Sequence, residues 1–281
     1  INPDIVFGFV PVTLHEYLII NYALVRKIPI RLLRSTKIEN YISLNDSLFG
    51  LSNHIKNSFS MDFNIRTIKS VNNYIKKTKN RGAIYEGMHL EKYVYRDFLP
   101  LITISKIFKA IGLEIRRITD PISFFDTHNP GYLWPALIEN VYQPFMASRI
   151  RRFLNKSGRL FKKSIERKYC LFPLHFEPEI ALQIYARPFQ NQIELARNIA
   201  LSLPPGVHLV VKEHPRSIGV RPLKYYKKLL EIPNVLIAPF DSSSFDLVRN
   251  SILVSVITGN IGLEAAVLGK PCNSFGQTEY T

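Results

Sequence analysis

Acidic residues are scarce in this chain of 281: 22 Asp and Glu stand against 37 Lys and Arg, a formal charge of +15. That balance favours an anionic partner, whether nucleic acid, an anionic membrane surface or a phosphorylated substrate, without choosing among them. Cysteine is scarcer still. Cys170 and Cys272 are the only two, each inside an apolar, strand-like run. They read as two buried thiols in a reducing cytoplasm rather than as a disulfide or a metal pair. No spacing of His, Cys and acids resembles a zinc site. Long apolar runs are missing too: Ile5–Val12 and Ile252–Ile257 fall far short of the roughly 18 residues that span a bilayer. The chain opens at Ile1 without the basic flank, apolar core and cleavage site of a signal peptide, so a processed or partial chain is expected. There is no solenoid repeat and no low-complexity tract. A Gly-x-Ser-x-Gly elbow, a Walker loop and a Gly-x-Gly-x-x-Gly fingerprint are all absent, which weakens hydrolase, P-loop and dehydrogenase readings.

What is present is an alternation of strands and helices at both ends. Asp4–Val10 suits a buried strand. Thr13 is a suitable N-cap for the helical pattern Leu14, Leu18, Ile19, Tyr22, Ala23, with Glu16 placed to close a capping box. Pro29–Arg34 reads as a second strand, giving one βαβ unit and implying a parallel sheet. From Leu44 to Lys168 the pattern changes. Helical periodicity appears in Ile68–Lys77 and Tyr93–Leu113, and prolines punctuate the remainder. The segment Arg149–Lys168 carries many cations against the lone Glu166, with apolar residues near helical spacing, so an amphipathic basic helix weakened at Gly158 is expected. It reads as a solvated helix with its apolar side on the core, a membrane-surface helix drawn to anionic lipid, or a nucleic-acid contact. No nucleic-acid-binding signature accompanies the charge, and nucleic acid is not an expected partner.

The last third alternates strictly. Strands are predicted at Tyr169–Leu174, Val207–Val211, Val235–Ala238, Ile252–Val256 and Pro271–Phe275, with helices at Gln190–Leu203, Leu223–Leu230 and Ile261–Leu268 and a helical turn at Ser244–Asn250. This argues a doubly wound parallel sheet. In such sheets ligands bind outside the carboxyl ends of the strands. Loops carrying His175, Glu177 and Glu179; Lys212, Glu213, His214 and Pro215; Asp241 to Ser244 with Ser243; and Thr258, Gly259 and Asn260 should therefore converge. His214 follows a buried strand, where Pro215 ends the ladder. Its imidazole can donate to a phosphate oxygen or contact a base, or simply cap a turn, and Lys212 can add charge. Thr258, Gly259 and Asn260 open a helix whose hydroxyl and first N–H groups suit a phosphate. Glu264 on that helix suits ribose hydroxyls, or is a helix-start carboxylate favoured by the dipole. Glu177 and Glu179 either orient a ligand or solvate a turn broken by Pro178.

The segments Phe172–Glu179, Lys212-Glu213-His214-Pro215, Thr258–Ala266, Gly269-Lys270-Pro271 and Phe275-Gly276 resemble the capsule polysaccharide biosynthesis proteins, the group containing the bacterial Kdo transferases. The resemblance covers about Lys168 to Tyr280. It implies a GT-B-like α/β fold of two Rossmann-like domains with parallel sheets. The N-terminal one (residues 1–165) would be incomplete and end in the helical basic segment, and residues 166–281 would bind the nucleotide. It further implies a glycosyltransferase moving a sugar from a nucleotide donor, preferably a CMP-sugar such as CMP-Kdo, to a glycan or lipid-linked acceptor. By carry-over, His214 and Thr258 would hold donor phosphate and Glu264 would lie near the ribose, with His175, Glu177, Lys212, Pro215, Ser243, Gly259 and Asn260 completing the donor site. No metal or other cofactor is expected. The base would come from the opposing domain, with His15 or Glu16 as candidates, although Glu16 serves equally as a helix cap. The expected location is the cytoplasm, with peripheral attachment to the inner membrane through Arg149–Lys168. Alternatives are a GT-B-like nucleotide-sugar epimerase, a glycerophosphotransferase, or a non-catalytic assembly factor that binds polyanions or membranes.

Overall fold

The computed structural model describes residues 3–11, 13–36, 41–48, 65–81, 100–120, 131–162, 168–179 and 181–276. Its C-terminal part is built on five parallel strands: β4 (Tyr169–Pro173), β5 (His208–Lys212), β6 (Val235–Ile237), β7 (Leu253–Val256) and β8 (Cys272–Ser274). They lie in the order β6-β5-β4-β7-β8. All five residues of β4 are buried, as expected of a central strand covered on both faces. Alternation then divides the core. Cys170 and Phe172 pack with Leu209, Val211, Leu195 and Tyr226 on one side. Leu171 and Tyr169 pack with Val210, Leu236, Leu247 and Val254 on the other. Helices α6 (Gln192–Ser202) and α7 (Leu223–Leu230) cover the first face, and α8 (Ser244–Asn250) and α9 (Asn260–Val267) the second. Connections run outward from β4 to β5 and β6, then return to β7 and β8. The strand order thus reverses between β4 and β7, the switch point at which doubly wound sheets open a crevice.

The N-terminal sheet is smaller. β1 (Val6–Phe9) and β2 (Ile30–Ser35) pair in parallel across α1 (Leu14–Val25), the expected βαβ unit. The capping box at Thr13 forms: Thr13 N–H donates to Glu16 Oε2 at 2.8 Å, and Glu16 N–H to Thr13 Oγ1 at 3.4 Å. A third strand that the sequence reading did not include, β3 (Ile42–Asn45), runs antiparallel to β2. A short loop after β2 permits that return, whereas a parallel strand needs a long crossover.

Between the sheets lie α2 (Ile65–Arg81), α3 (Pro100–Thr119), α4 (Leu133–Leu137), a π-helical turn at Ile138–Tyr142, and α5 (Gln143–Lys156). The periodicity read at Tyr93–Leu113 belongs to α3 from Pro100 onward, and residues 93–99 lie outside the described ones. The basic segment is not one helix. α5 stops at Lys156, Gly158 adopts φ +67, and Leu160 bridges to Ile237 beside β6; residues 163–167 lie outside the described residues. The apolar face of α5 (Met146, Ala147, Ile150, Leu154) is buried, and Ile150 and Leu154 join the core of the C-terminal sheet. That helix therefore belongs with the second sheet, although it lies before residue 166. Cys170 and Cys272 are free thiols; Cys170 is buried, as the sequence suggested, whereas Cys272 is only half-buried because it lies on the edge strand β8, and burial pushes the Cys170 thiol up to about 11.

Candidate functional site

Two histidines stand on the carboxyl rim of the sheet, after β4 and β5. His175 lies at the switch point. Its Nδ1 is 2.9 Å from Glu179 Oε2, and its Nε2 is 3.0 Å from the Thr258 carbonyl and 3.3 Å from the Thr258 amide nitrogen. With Nδ1–H donated to the carboxylate, the neutral ring accepts the Thr258 N–H, and a protonated ring donates to the Thr258 carbonyl. The imidazole thus joins the β4 loop to the loop that opens α9.

Gly259 is the N-cap of α9 at φ +103, a conformation open to glycine and strained for other residues. A Cβ there would lie 3.6 Å from His175 Cε1. Behind Thr258, Gly276 approaches so closely that a Cβ would meet Thr258 Cγ2 at 2.6 Å and the Ile257 carbonyl at 2.8 Å. Asn260 is the first residue of α9, and Glu264 is buried within it.

His214 is half-buried and begins a 3₁₀ turn at Pro215–Ser217. Its Nδ1 accepts the Arg216 N–H at 3.2 Å, which selects the neutral tautomer with the proton on Nε2. Burial, foremost, holds its pKa below the ordinary 6.5, against the opposing pull of the Glu179 carboxylate. The ring centroid is 6.1 Å from that of Phe176 in the β4 loop. His175, His214, Glu179 and Thr258 therefore form one neighbourhood on β4, β5 and β7.

Beneath it lies a buried polar network that local sequence does not announce. Glu213, 1% exposed, pairs with Arg221, accepts the Tyr226 hydroxyl at 2.7 Å, and accepts the His214 N–H at 2.7 Å. Burial raises the Glu213 carboxyl above its usual range. Arg221, 6% exposed, also bonds to the His175 carbonyl and reaches Glu177 Oε1 at 3.2 Å. Gln192 accepts the His175 N–H at 2.7 Å and donates to both the His175 carbonyl and Glu177. Both histidine loops are thus anchored to Arg221. Gln192 left a trace in the sequence, since it shares the buried face of α6 with Leu195, Ala196 and Ile199. Arg221 left none, because its partners lie 8, 44 and 46 residues away.

Other expected ligand groups are already engaged. Lys212 Nζ donates to the carbonyls of Pro239 at 3.2 Å and Phe240 at 2.8 Å, tying the end of β5 to the segment after β6. Burial lowers its pKa to about 8. Ser243 caps α8 by accepting the Asp246 N–H, and Pro215 is exposed at the start of its turn. Glu177 supports the β4 loop through Gln192 and Arg221. In the N-terminal part, Glu16 holds the Thr13 N–H, while His15 is exposed on α1. Among the described residues, no group of three or more His, Cys, Asp or Glu could hold a metal ion.

No curated protein matches the chain. Two solved structures of KpsC from Thermosulfurimonas dismutans resemble it. The beta Kdo 2,7 transferase has 23% identity over 55% of this chain and 49% of its own length, with a TM-score of 0.34. The beta Kdo 2,4 transferase has 12% identity over 97% of this chain and 68% of its own, with a TM-score of 0.38. The chain thus spans about half the length of the first. A profile described as capsule polysaccharide biosynthesis protein matches residues 141–281, beginning just before α5 and covering the whole five-stranded sheet with its histidine rim. With that match over half its length, the chain belongs to the capsule polysaccharide biosynthesis protein family.

Proposed function

We propose that this chain is a glycosyltransferase whose donor is a nucleotide-sugar, preferably a CMP-sugar such as CMP-Kdo, and whose acceptor is a glycan or lipid-linked glycan. The observation that supports it most directly is the pairing of His175 with Thr258 at the switch point, with His214 beside it in its Nε2–H tautomer. A neutral imidazole donor, the Thr258 hydroxyl and the start of α9 make an arrangement suited to phosphate oxygens. Asn260 and Glu264 on the same helix would reach the sugar and ribose side. Apart from α5, which packs with the second sheet, residues 1–165 would carry the acceptor side and residues 166–281 the donor, as in a GT-B arrangement.

In the proposed step an acceptor hydroxyl oxygen bonds to the anomeric carbon of the donor, and its proton passes to a base. The bond from that carbon to the phosphate oxygen breaks, and the nucleotide leaves with the electron pair. Charge that grows on the departing phosphate meets His214 Nε2–H and the Thr258 loop, which supply stabilisation of the oxyanion-hole kind without a metal. His15 is the preferred base, since the Glu16 carboxylate already closes the capping box.

The test is a thermal-shift screen of CMP, UDP and GDP, followed by a transfer assay. A bound nucleotide at about 100 times its Kd adds roughly 2.7 kcal/mol, so the preferred nucleotide raises Tm by a few degrees. A chain that none of the three stabilises would refute the donor site. Product analysis separates the remaining enzyme readings: a new glycosidic bond, an inverted stereocentre or a phosphodiester.

A further inference from the structure

The rim chemistry leaves most of the +15 charge unused, and one helix gathers part of it on a single face. α2 is rich in Lys and Arg and carries no Asp or Glu. It is seated on the helices of the large sheet: it packs against α9, and Arg249 of α8 donates to the Lys79 carbonyl at 2.8 Å. Its packed side holds Thr78, 2% exposed, with half-buried Tyr74 and Ile75. At 3.6 residues per turn Arg66, Lys69, Asn73, Lys76 and Asn80 fall within a stripe about 80° wide, centred about 165° from that side. All five are exposed. Lys77 and Ile65 border the stripe, whereas exposed Ile68 and Val71 lie more than about 100° from its centre. Of the acids on the two helices that α2 touches, Glu264 is buried in α9. Asp246 shares a face of α8 with Arg249, at the junction with α2 rather than along the stripe.

We propose that this stripe of α2 binds an anionic polysaccharide chain, outside the histidine rim. Arg66, Lys69 and Lys76 meet the acidic groups of the chain, and the amides of Asn73 and Asn80, each both donor and acceptor, meet its hydroxyls. Charge complementarity sets the sign of the partner, and the rest of the stripe sets its class. A bilayer contact needs apolar side chains beside the cations, and Ile68 and Val71 lie on the other side. A single nucleic-acid strand is held by aromatic side chains among cations, and Tyr74, the one aromatic of α2, is half-buried on the packed side. A second copy would set these cations against their own kind, with no acid on α2 to pair them. The cations span about 15 Å of the axis, a length that suits a chain rather than a lone metabolite. Polysaccharide is also the material that the chain's family builds. Binding here requires neither a donor nor the transfer step, so it is separable from the transferase reading.

The experiment titrates the full chain against fluorescein-labelled fragments of polygalacturonate, with labelled dextran of the same length as the neutral control. Binding should be at least tenfold tighter to the acidic fragments. Arg66→Gln/Lys69→Gln/Lys76→Gln should weaken it at least tenfold while leaving the melting curve and any nucleotide-induced shift in place. No binding to the acidic fragments would overturn the proposal, as would equal binding to dextran or undiminished binding by the triple variant. Two further arms use a thymidine oligonucleotide and vesicles containing phosphatidylglycerol. If either binds more tightly than the acidic fragments and the variant loses it, the stripe belongs to that partner and the proposal falls. Should the variant fold poorly, the unaltered chain still decides: affinity that a rise in salt from about 50 to about 200 mM leaves unchanged refutes a charged contact. Glycan binding without any nucleotide-induced shift would count against the transferase reading alone, and the converse against this surface alone.

Discussion

His175 and Thr258 stand 83 residues apart in the chain and 3.0 Å apart in space, measured from the imidazole Nε2 to the Thr258 carbonyl oxygen. That contact joins the two loops on either side of the switch point, and Glu179 holds the other ring nitrogen. His175→Ala removes both ties at once. Its expected cost is about 1–3 kcal/mol in denaturant unfolding, from buried polar groups left without partners. The nucleotide-induced rise in Tm should disappear with it. A fully retained shift would mean that the α9 loop holds its position unaided.

His214→Asn separates two roles of one side chain. Asn can accept the Arg216 N–H as Nδ1 does, so the turn should persist, but the Nε2 donor is gone and transfer should fall at least a hundredfold. The pH dependence follows from the lowered pKa. The folded ring binds its proton less readily than the unfolded one. The stability of the neutral ring is therefore fully present above about 6.5 and declines as pH drops through that value, levelling off once the folded ring is also charged. Melting curves from pH 7.5 to 5 should show this slope in the unaltered chain and a shallower one in His214→Asn.

Arg221→Met leaves Glu213 buried without its cation. Breaking a buried pair from one side costs about 3–5 kcal/mol, and equilibrium unfolding should show a loss of that size. Adding Glu213→Gln should recover much of it, because the uncompensated charge is then removed. If the single variant melts like the parent, Arg221 does not hold the two histidine loops.

Gly259→Ala places a side chain at φ +103, and a loss of about 1–2 kcal/mol is expected from the strained backbone. Gly276→Ala should cost more, since its Cβ meets a backbone carbonyl at 2.8 Å that cannot turn aside. Both should reduce nucleotide affinity through displacement of Thr258, read by titration against the preferred nucleotide.

Glu114 should contribute an acid response at the junction of α3 and α4. The Tyr132 N–H, then Arg117, hold its carboxyl below the ordinary 4.5. Its contribution is complete above that value and is lost as pH falls through the lower folded one. Amide exchange at Tyr132 and Leu133 should quicken under acid, and in Glu114→Gln it should be fast already at neutral pH. Equal protection in both chains would show that another group holds the pair of helices.

The alternation of the last third was legible because β4 and its neighbours are covered on both faces and so read as short continuous apolar runs. The capping box at Thr13 was legible for a similar reason, since both partners lie within one turn. β3 was not, because a short return strand with a mixed face has no pattern of its own. The basic helix was misjudged in length: Gly158 ends α5, and the charge continues past a helix that does not.

Local sequence therefore determined which segments become strand or helix, and that His175, His214 and the Thr258 loop follow strands, because periodicity and caps act over a few residues. Only the tertiary structure decided what those groups do with their hydrogen bonds. Lys212 and His214 are near neighbours in sequence, yet the first is held by the Pro239 and Phe240 carbonyls while the second keeps its proton on Nε2. That difference comes from strand order, which brings distant carbonyls and carboxylates beside these side chains. In a buried setting each donor takes the partner that packing brings to it.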